Sequence, residues 1–176
     1  MRTHVYIGTS LDGFIARTDG DIDWLVGFAN DEAVKSYEEF TSRIDAMVIG
    51  RGTFEKVLDF PVWPYHKKVF VLSRTVKEVP ERLKESVTIL AMQPKEVLGY
   101  LSDAGFSGIY VDGGKVIQSF LRADLIDEMI VSKVPVLIGG GIPLFGLMEV
   151  DLEFKHVQTQ ICSNGLVRSY YLRKRS

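Results

Sequence analysis

A single cysteine, Cys162, is present in the 176-residue chain. That excludes an internal disulfide and every metal motif built on several cysteines. The alternating pattern around Cys162 points to a packed thiol rather than a nucleophile. Histidine is equally sparse, and His4, His66 and His156 show no metal-ligand spacing. No apolar run approaches the ~20 residues of a membrane-spanning helix. Asp12 breaks the first apolar run, where a secretory signal would carry its apolar core. A cytoplasmic protein with no membrane partner is therefore expected. An excess of charge is also missing: 21 Lys and Arg stand against 23 Asp and Glu, which gives no pull toward nucleic acid. The terminal Arg173-Lys174-Arg175 cluster reads as a solvated end. No G-x-x-x-x-G-K-[ST] occurs, no G-x-G-x-x-G follows the first strand, and no nucleophile–histidine–acid arrangement can be read.

What the chain does have is an ordinary globular balance, 46% hydrophobic and 25% charged, enough for one domain over residues 1–176 with a substantial core. Val5 to Thr9 reads as a strand, Phe14 to Ala16 as its continuation after a turn, and residues 17–23 as a polar loop ending at Trp24. Asn30 should cap a helix bearing Val34, Tyr37, Phe40 and Ile44 on one face. Ala46–Gly50, Lys68–Arg74 and Val87–Leu90 read as strands, and Phe54–Leu58 as a short helix with Thr53 as its cap. Pro80–Glu85 suggests another short helix, and Pro94 opens a firmer one that Gly105 stops. A strand over 109–112 passes through Gly113-Gly114 into a helix carrying Val116, Ile117, Phe120 and Leu121. A strand over Met129–Leu137 and a hairpin about Asn164-Gly165 complete the chain. Strands alternating with helices, then a terminal antiparallel hairpin, predict an α/β fold: a three-layer αβα sandwich around a mixed, mostly parallel sheet of about eight strands.

Ligands of such sheets sit beyond the carboxyl ends of the parallel strands. Three polar exits belong there: Gly50-Arg51-Gly52-Thr53, Ser73-Arg74 and Asp112-Gly113-Gly114-Lys115. They combine two helix N-termini, two hydroxyls and two guanidinium groups, a set suited to a ligand with several phosphates. Any one of these exits alone could be an ordinary βα turn.

Five stretches, in order, carry a resemblance. They are Ser10-Leu11-Asp12-Gly13-Phe14-Ile15-Ala16 followed by Trp24; Asp45 to Glu55 with its Gly50-Arg51-Gly52-Thr53 core; Val71-Leu72-Ser73-Arg74; Val111-Asp112-Gly113-Gly114; and Leu125 to Glu128 with Pro135 to Phe145. The chain resembles the dihydrofolate reductase-like superfamily, and within it the reductase domain of riboflavin biosynthesis and its stand-alone relatives. The resemblance implies NADPH as cofactor and hydride transfer to a pterin-, pyrimidine- or similar heteroaromatic substrate. It implies that Gly8, Thr9, Ile15 and Ala16 line the nicotinamide and that Gly50, Arg51, Gly52, Thr53, Gly113, Gly114, Lys115, Val116 and Ile117 hold the pyrophosphate. Ser73 and Arg74, with Arg51, would meet a 2′-phosphate. Tyr6, Trp24 and Trp63 are expected to face substrate, and Asp31 and Asp112 are the candidate catalytic acids. Asp31 is equally suited to a helix N-terminus. The segment Lys56 to Pro64 lacks the acidic-proline-arginine run of the riboflavin enzymes and is aromatic instead. The riboflavin-pathway reductase itself, a dihydrofolate reductase and an NADP-binding module without catalysis stay open as alternatives. A homodimer is expected, and no metal.

Overall fold

The computed structural model describes residues 1–175. Strand β1 (Arg2–Thr9) turns at 10–13 into the short β2 (Phe14–Ala16), and the one-turn helix α1 (Asp23–Val26) follows. Where the sequence predicts only loop up to Trp24, Asp21 Oδ1 accepts from the backbone N–H of Ile22 and Asp23 at 2.6 and 3.1 Å, just ahead of that turn. Helix α2 (Asp31–Ser42) is capped as expected, with Asn30 Oδ1 accepting from Ala33 N at 2.9 Å.

The chain then alternates: β3 (Ala46–Gly50), α3 (Arg51–Leu58), β4 (Lys68–Leu72), a single 3-10 turn at Glu81–Leu83, β5 (Val87–Leu90), α4 (Pro94–Asp103), β6 (Gly108–Asp112), α5 (Gly114–Arg122) and β7 (Glu128–Lys133). A two-residue β8 (Ile142–Pro143) and the hairpin of β9 (Phe154–Ile161) and β10 (Val167–Arg173) close the fold. Two boundaries differ from expectation. Helix α3 starts at Arg51, directly from an extended Gly50, so Thr53 is its third residue and not its cap. Strand β7 stops at Lys133 because Pro135 has no N–H for the ladder. The chain folds over there instead, with Val136 N bonding Val134 O at 2.8 Å.

The main sheet has eight strands in the order β5-β4-β3-β6-β1-β7-β10-β9. The six from β5 to β7 are parallel, and β10 joins β7 antiparallel with β9 outside it. Strand alternation sends Val5, Val48, Ile109 and Val111 to one face, under α4 and α5. It sends Tyr6, Met47, Ile49 and Tyr110 to the other, under α2 and α3. Ile117 and Phe120 of α5 are fully buried, each contributing about 1.5–3 kcal/mol. The result is the α/β sandwich expected, around a mixed, mostly parallel sheet.

Candidate active site

The crevice lies where the chain leaves two neighbouring strands in opposite directions. From β3 it crosses through α3 to β4, on one side of the sheet. From β6 it crosses through α5 to β7, on the other side. Between two such strands the connections diverge, and the carboxyl ends open to a ligand. Because β4, β3 and β6 are adjacent, the three polar exits stand side by side.

The first turns of α3 and α5 face this crevice. Gly113 has φ +93°, a left-handed conformation that favours glycine. A Cβ there would come within 2.5 Å of Thr53 Oγ1, so Thr53 closes directly on the glycine. Gly114 is buried against Ile15, Ile142 and Pro143. By contrast a Cβ on Gly52 would meet nothing within 4 Å, so α3 presents open space above its first turn. Arg51 is exposed, with Nη1 3.4 Å from Thr75 Oγ1 and Nε 3.8 Å from Glu55. Ser73 Oγ accepts from Thr75 N and Val76 N at 3.1 and 2.9 Å and so shapes its own loop, while Arg74 and Lys115 are exposed. Arg51, Phe54, Glu55, Leu58, Thr75, Val76 and Glu78 line a hollow of about 260 Å³ beside this exit. Val116 and Ile117 point into the core, so only their backbone can reach the crevice.

At the end of β1, Thr9 is buried and its Oγ1 has no hydrogen-bond partner. Gly8 packs toward Leu25 of α1, and Ile15 and Ala16 lie buried in β2. Asp12 ties this corner together. It accepts from Ser10 Oγ at 2.6 Å and from Gly139 N at 2.8 Å, which joins the 10–13 turn to the glycine-rich 139–141 segment. Gly141 runs so close to Ala16 O that a side chain there would collide with backbone.

Asp112 sits on the opposite face, because it shares a strand face with Tyr110. It is half-buried, and burial pushes its carboxyl up to about 6, against the Gly113 N–H donated to Oδ1 at 2.8 Å. Three phenols lie close enough to feel its charge. Burial, then the Asp112 charge, raises Tyr37 to about 12, and the same two causes raise Tyr65 and Tyr110. Tyr6 stands 5.7 Å from Tyr37 between ring centroids, and Tyr110 donates to Tyr6 O at 2.7 Å. Trp63 packs edge-on to Tyr65 at 5.2 Å and to Phe54 at 6.3 Å, with its Nε1 buried and unpartnered.

Tyr6, Trp63 and Asp112 therefore come together, and two other candidates stand apart. Asp31 is exposed at the first position of α2. Trp24 is buried in a separate cluster with Val134, Cys162 and Leu166. The nearness of Tyr37 to Asp112 is not legible in the sequence, since its helical spacing reads as core. The alternation of β6, which aims Tyr110 and Asp112 the same way, was the available signal.

A nicotinamide dinucleotide fits the residues present. Paired helix N-termini with open space over Gly52 suit a pyrophosphate, and the orphaned Thr9 hydroxyl offers a hydrogen bond to an amide. Among the described residues no cluster of potential metal ligands occurs, and no helix is long and apolar enough to cross a membrane.

Comparison with known proteins gives the family and the fold. Residues 62–168 match the model of the RibD C-terminal domain. The uncharacterised protein YwjB of Bacillus subtilis strain 168 is 37% identical over 148 residues, 82% of each chain. A crystal structure described as a candidate riboflavin biosynthesis protein from Shewanella sp. PV-4 superposes with a TM-score of 0.93 at 41% identity, covering 99% of this chain and 100% of that one. At 16% identity and a TM-score of 0.72, a dihydrofolate reductase from Enterococcus faecalis, solved with NADP(H), covers 99% and 97% and shares the fold. The chain belongs to the RibD C-terminal domain family.

Proposed function

We propose that this chain is an NADPH-dependent reductase of the riboflavin-reductase type, acting on a flat heteroaromatic substrate. Family membership supports a reductase. The observation that carries the rest is the pairing of a two-helix anion crevice with an enclosed acid, Asp112, across the end of one strand. In this reading the first turns of α3 and α5 hold the pyrophosphate, with Thr53 and the Gly113-Gly114 pair against it. Arg51 and Arg74 meet a 2′-phosphate with paired donors, which favours NADPH over NADH. Thr9, Gly8, Ile15 and Ala16 border the nicotinamide.

A reduced nicotinamide bound in such a site supplies a hydride to an electron-poor ring carbon. What the chain adds is position, dryness and a proton. Tyr6, Trp63 and Tyr65 form a wall on which a ring can stack, and the unpartnered Trp63 Nε1 offers it a hydrogen bond. Asp112, with a carboxyl held near 6, carries a proton into a neutral environment and gives it to a ring nitrogen as the adjacent carbon is reduced. Solvent then restores it. The aromatic 60–65 loop favours an uncharged ring over a phosphoribosyl compound. We extend the reading to a single-domain, cytoplasmic homodimer, for which the exposure of β9 along nearly its whole length supplies an edge.

The test is consumption of NADPH across a panel of pterins, aminopyrimidines and the phosphoribosylaminouracil of riboflavin synthesis. Turnover of at least one ring compound is expected. NADPH binding without oxidation by any member would reduce the protein to a cofactor-binding module.

A further inference from the structure

On the far side of α2 from Asp112 runs a groove that the reductase reading does not use. It lies between α2 and the β7-β10-β9 edge and encloses about 240 Å³. Its polar border is Ser36 and Glu39 from the helix, Arg43 just after it, and Gln158, Gln160 and Arg168 from the strands. That volume is below the range for a drug-sized ligand but suits a phosphate or a small carboxylate.

Arg168 gives the groove its chemistry. The residue is 9% exposed, although it carries a permanent charge. Its Nε donates to Ser132 Oγ at 3.2 Å, and its guanidinium carbon stands 5.7 Å from the centroid of the Tyr6 ring. No carboxylate lies within ion-pairing distance of it among the described residues. The nearby acids bond chiefly to other groups, although the charges of Glu32 and Arg168 still act on each other across the groove. Glu128 is held by Arg43, with Nη1 at 3.0 Å from Oε2, and faces His4 Nδ1 at 3.4 Å. Glu32 is held by Ser163 N at 2.9 Å, by the Ser163 hydroxyl at 2.6 Å and by Gln160 Nε2 at 2.9 Å. Glu39 is exposed at the rim.

An enclosed guanidinium with no direct ion-pair partner leaves part of its charge unmatched, which favours an anion at its open nitrogens. Here the planar fork keeps its terminal nitrogens for the groove, next to the side-chain amide of Gln158; Gln160, on the same strand face, already donates Nε2 to Glu32. We propose that this groove is a binding site for a compact oxyanion, a carboxylate or phosphate group held bidentately by Arg168. The wall it shares with the substrate side is thin: Tyr6 lies under Arg168 on one flank and against Tyr37 on the other, and its hydroxyl bonds Ser36 Oγ at 3.2 Å. The anion is either a free small ion or the charged tail of a larger compound, and both place the same group on Arg168.

Calorimetric titration with inorganic phosphate, and separately with succinate, tests this on the full chain. Saturable binding is expected in wild type and in an Arg51→Ala, Arg74→Ala double variant, which removes the crevice cations. Arg168→Gln should weaken it at least about tenfold, as loss of a charge-assisted bidentate contact implies. Should Arg168→Gln fold poorly, the side-chain amide resonances of Gln158 and Gln160 in wild type give the answer, because a bound anion must shift them. A free ion is indicated if phosphate alone saturates the site, a tail if only succinate does. Binding that vanishes with Arg51 and Arg74 but ignores Arg168, or unmoved glutamine resonances with both anions, would overturn the proposal.

Discussion

Asp112 shows how one carboxyl can be set apart by its surroundings. Its value of about 6 lies above the ordinary 3.8, so the native state binds that proton more tightly than the unfolded chain does. The resulting stabilisation is present below about pH 4 and is lost as pH rises through 6. Near neutrality the ionised, enclosed carboxylate costs the fold up to about 3 kcal/mol. Asp112→Asn should therefore be more stable than wild type at pH 7 and indistinguishable at pH 4, as thermal unfolding at both pH values would show. Reductase activity should fall in wild type as pH rises above 6. In the Asn variant it should drop by about 10²–10⁴, and an unchanged pH profile there would remove Asp112 from the proton path. From sequence, an acid beside a glycine pair is visible as an oddity. Its enclosure is not, because Tyr37 comes from α2 and Tyr65 from a loop, far from it in the chain.

Among the elements, the glycine-bearing strand exits divide into structural and approach positions. Gly113→Ala must adopt φ +93° and press on Thr53, at a cost of about 1–3 kcal/mol. Gly52→Ala is a different case: nothing opposes a methyl there, and helix propensity favours it by up to about 1 kcal/mol. The account expects Gly52→Ala to keep or raise the melting temperature while weakening NADPH, since the methyl occupies the open approach to α3. Equal losses of stability and binding in both variants would show that the two glycines do the same job.

A second element-scale device is Glu128, which joins β7 to His4 of β1, Arg43 after α2 and Tyr170 of β10. Burial alone would raise its carboxyl, but the proximity of His4, the bonds from Arg43 and the nearby Tyr170 outweigh that and hold it at about 2. Its stabilisation is complete above the ordinary 4.5 and is lost as pH falls toward 2. Glu128→Gln should lower stability by about 3 kcal/mol at pH 7, with the deficit shrinking in acid denaturation below pH 4. These links join residues as distant as His4 and Tyr170, so no local pattern announces them. Helices α2, α4 and α5 were legible because apolar spacing and capping act within a few residues. The start of α3 was misread because Thr53 resembles a cap yet serves as a contact for Gly113.

For the molecule as a whole, the sheet order turns three separated sequence stretches into one edge. Alternation of strands and helices made the α/β class legible, and the ordered motifs made the family legible. The adjacency of β4, β3 and β6 follows from crossover connections that no single stretch encodes. That adjacency carries the central claim, that one crevice holds a dinucleotide and distinguishes its 2′-phosphate. The most direct measurement is the dissociation constant of NADPH and of NADH by calorimetry, for wild type and for the Arg51→Ala, Arg74→Ala variant. The account expects wild type to favour NADPH by at least about tenfold, and the variant to lose most of that ratio while retaining its NADH affinity. No binding of either dinucleotide, or an NADPH preference that survives the loss of both arginines, would contradict it.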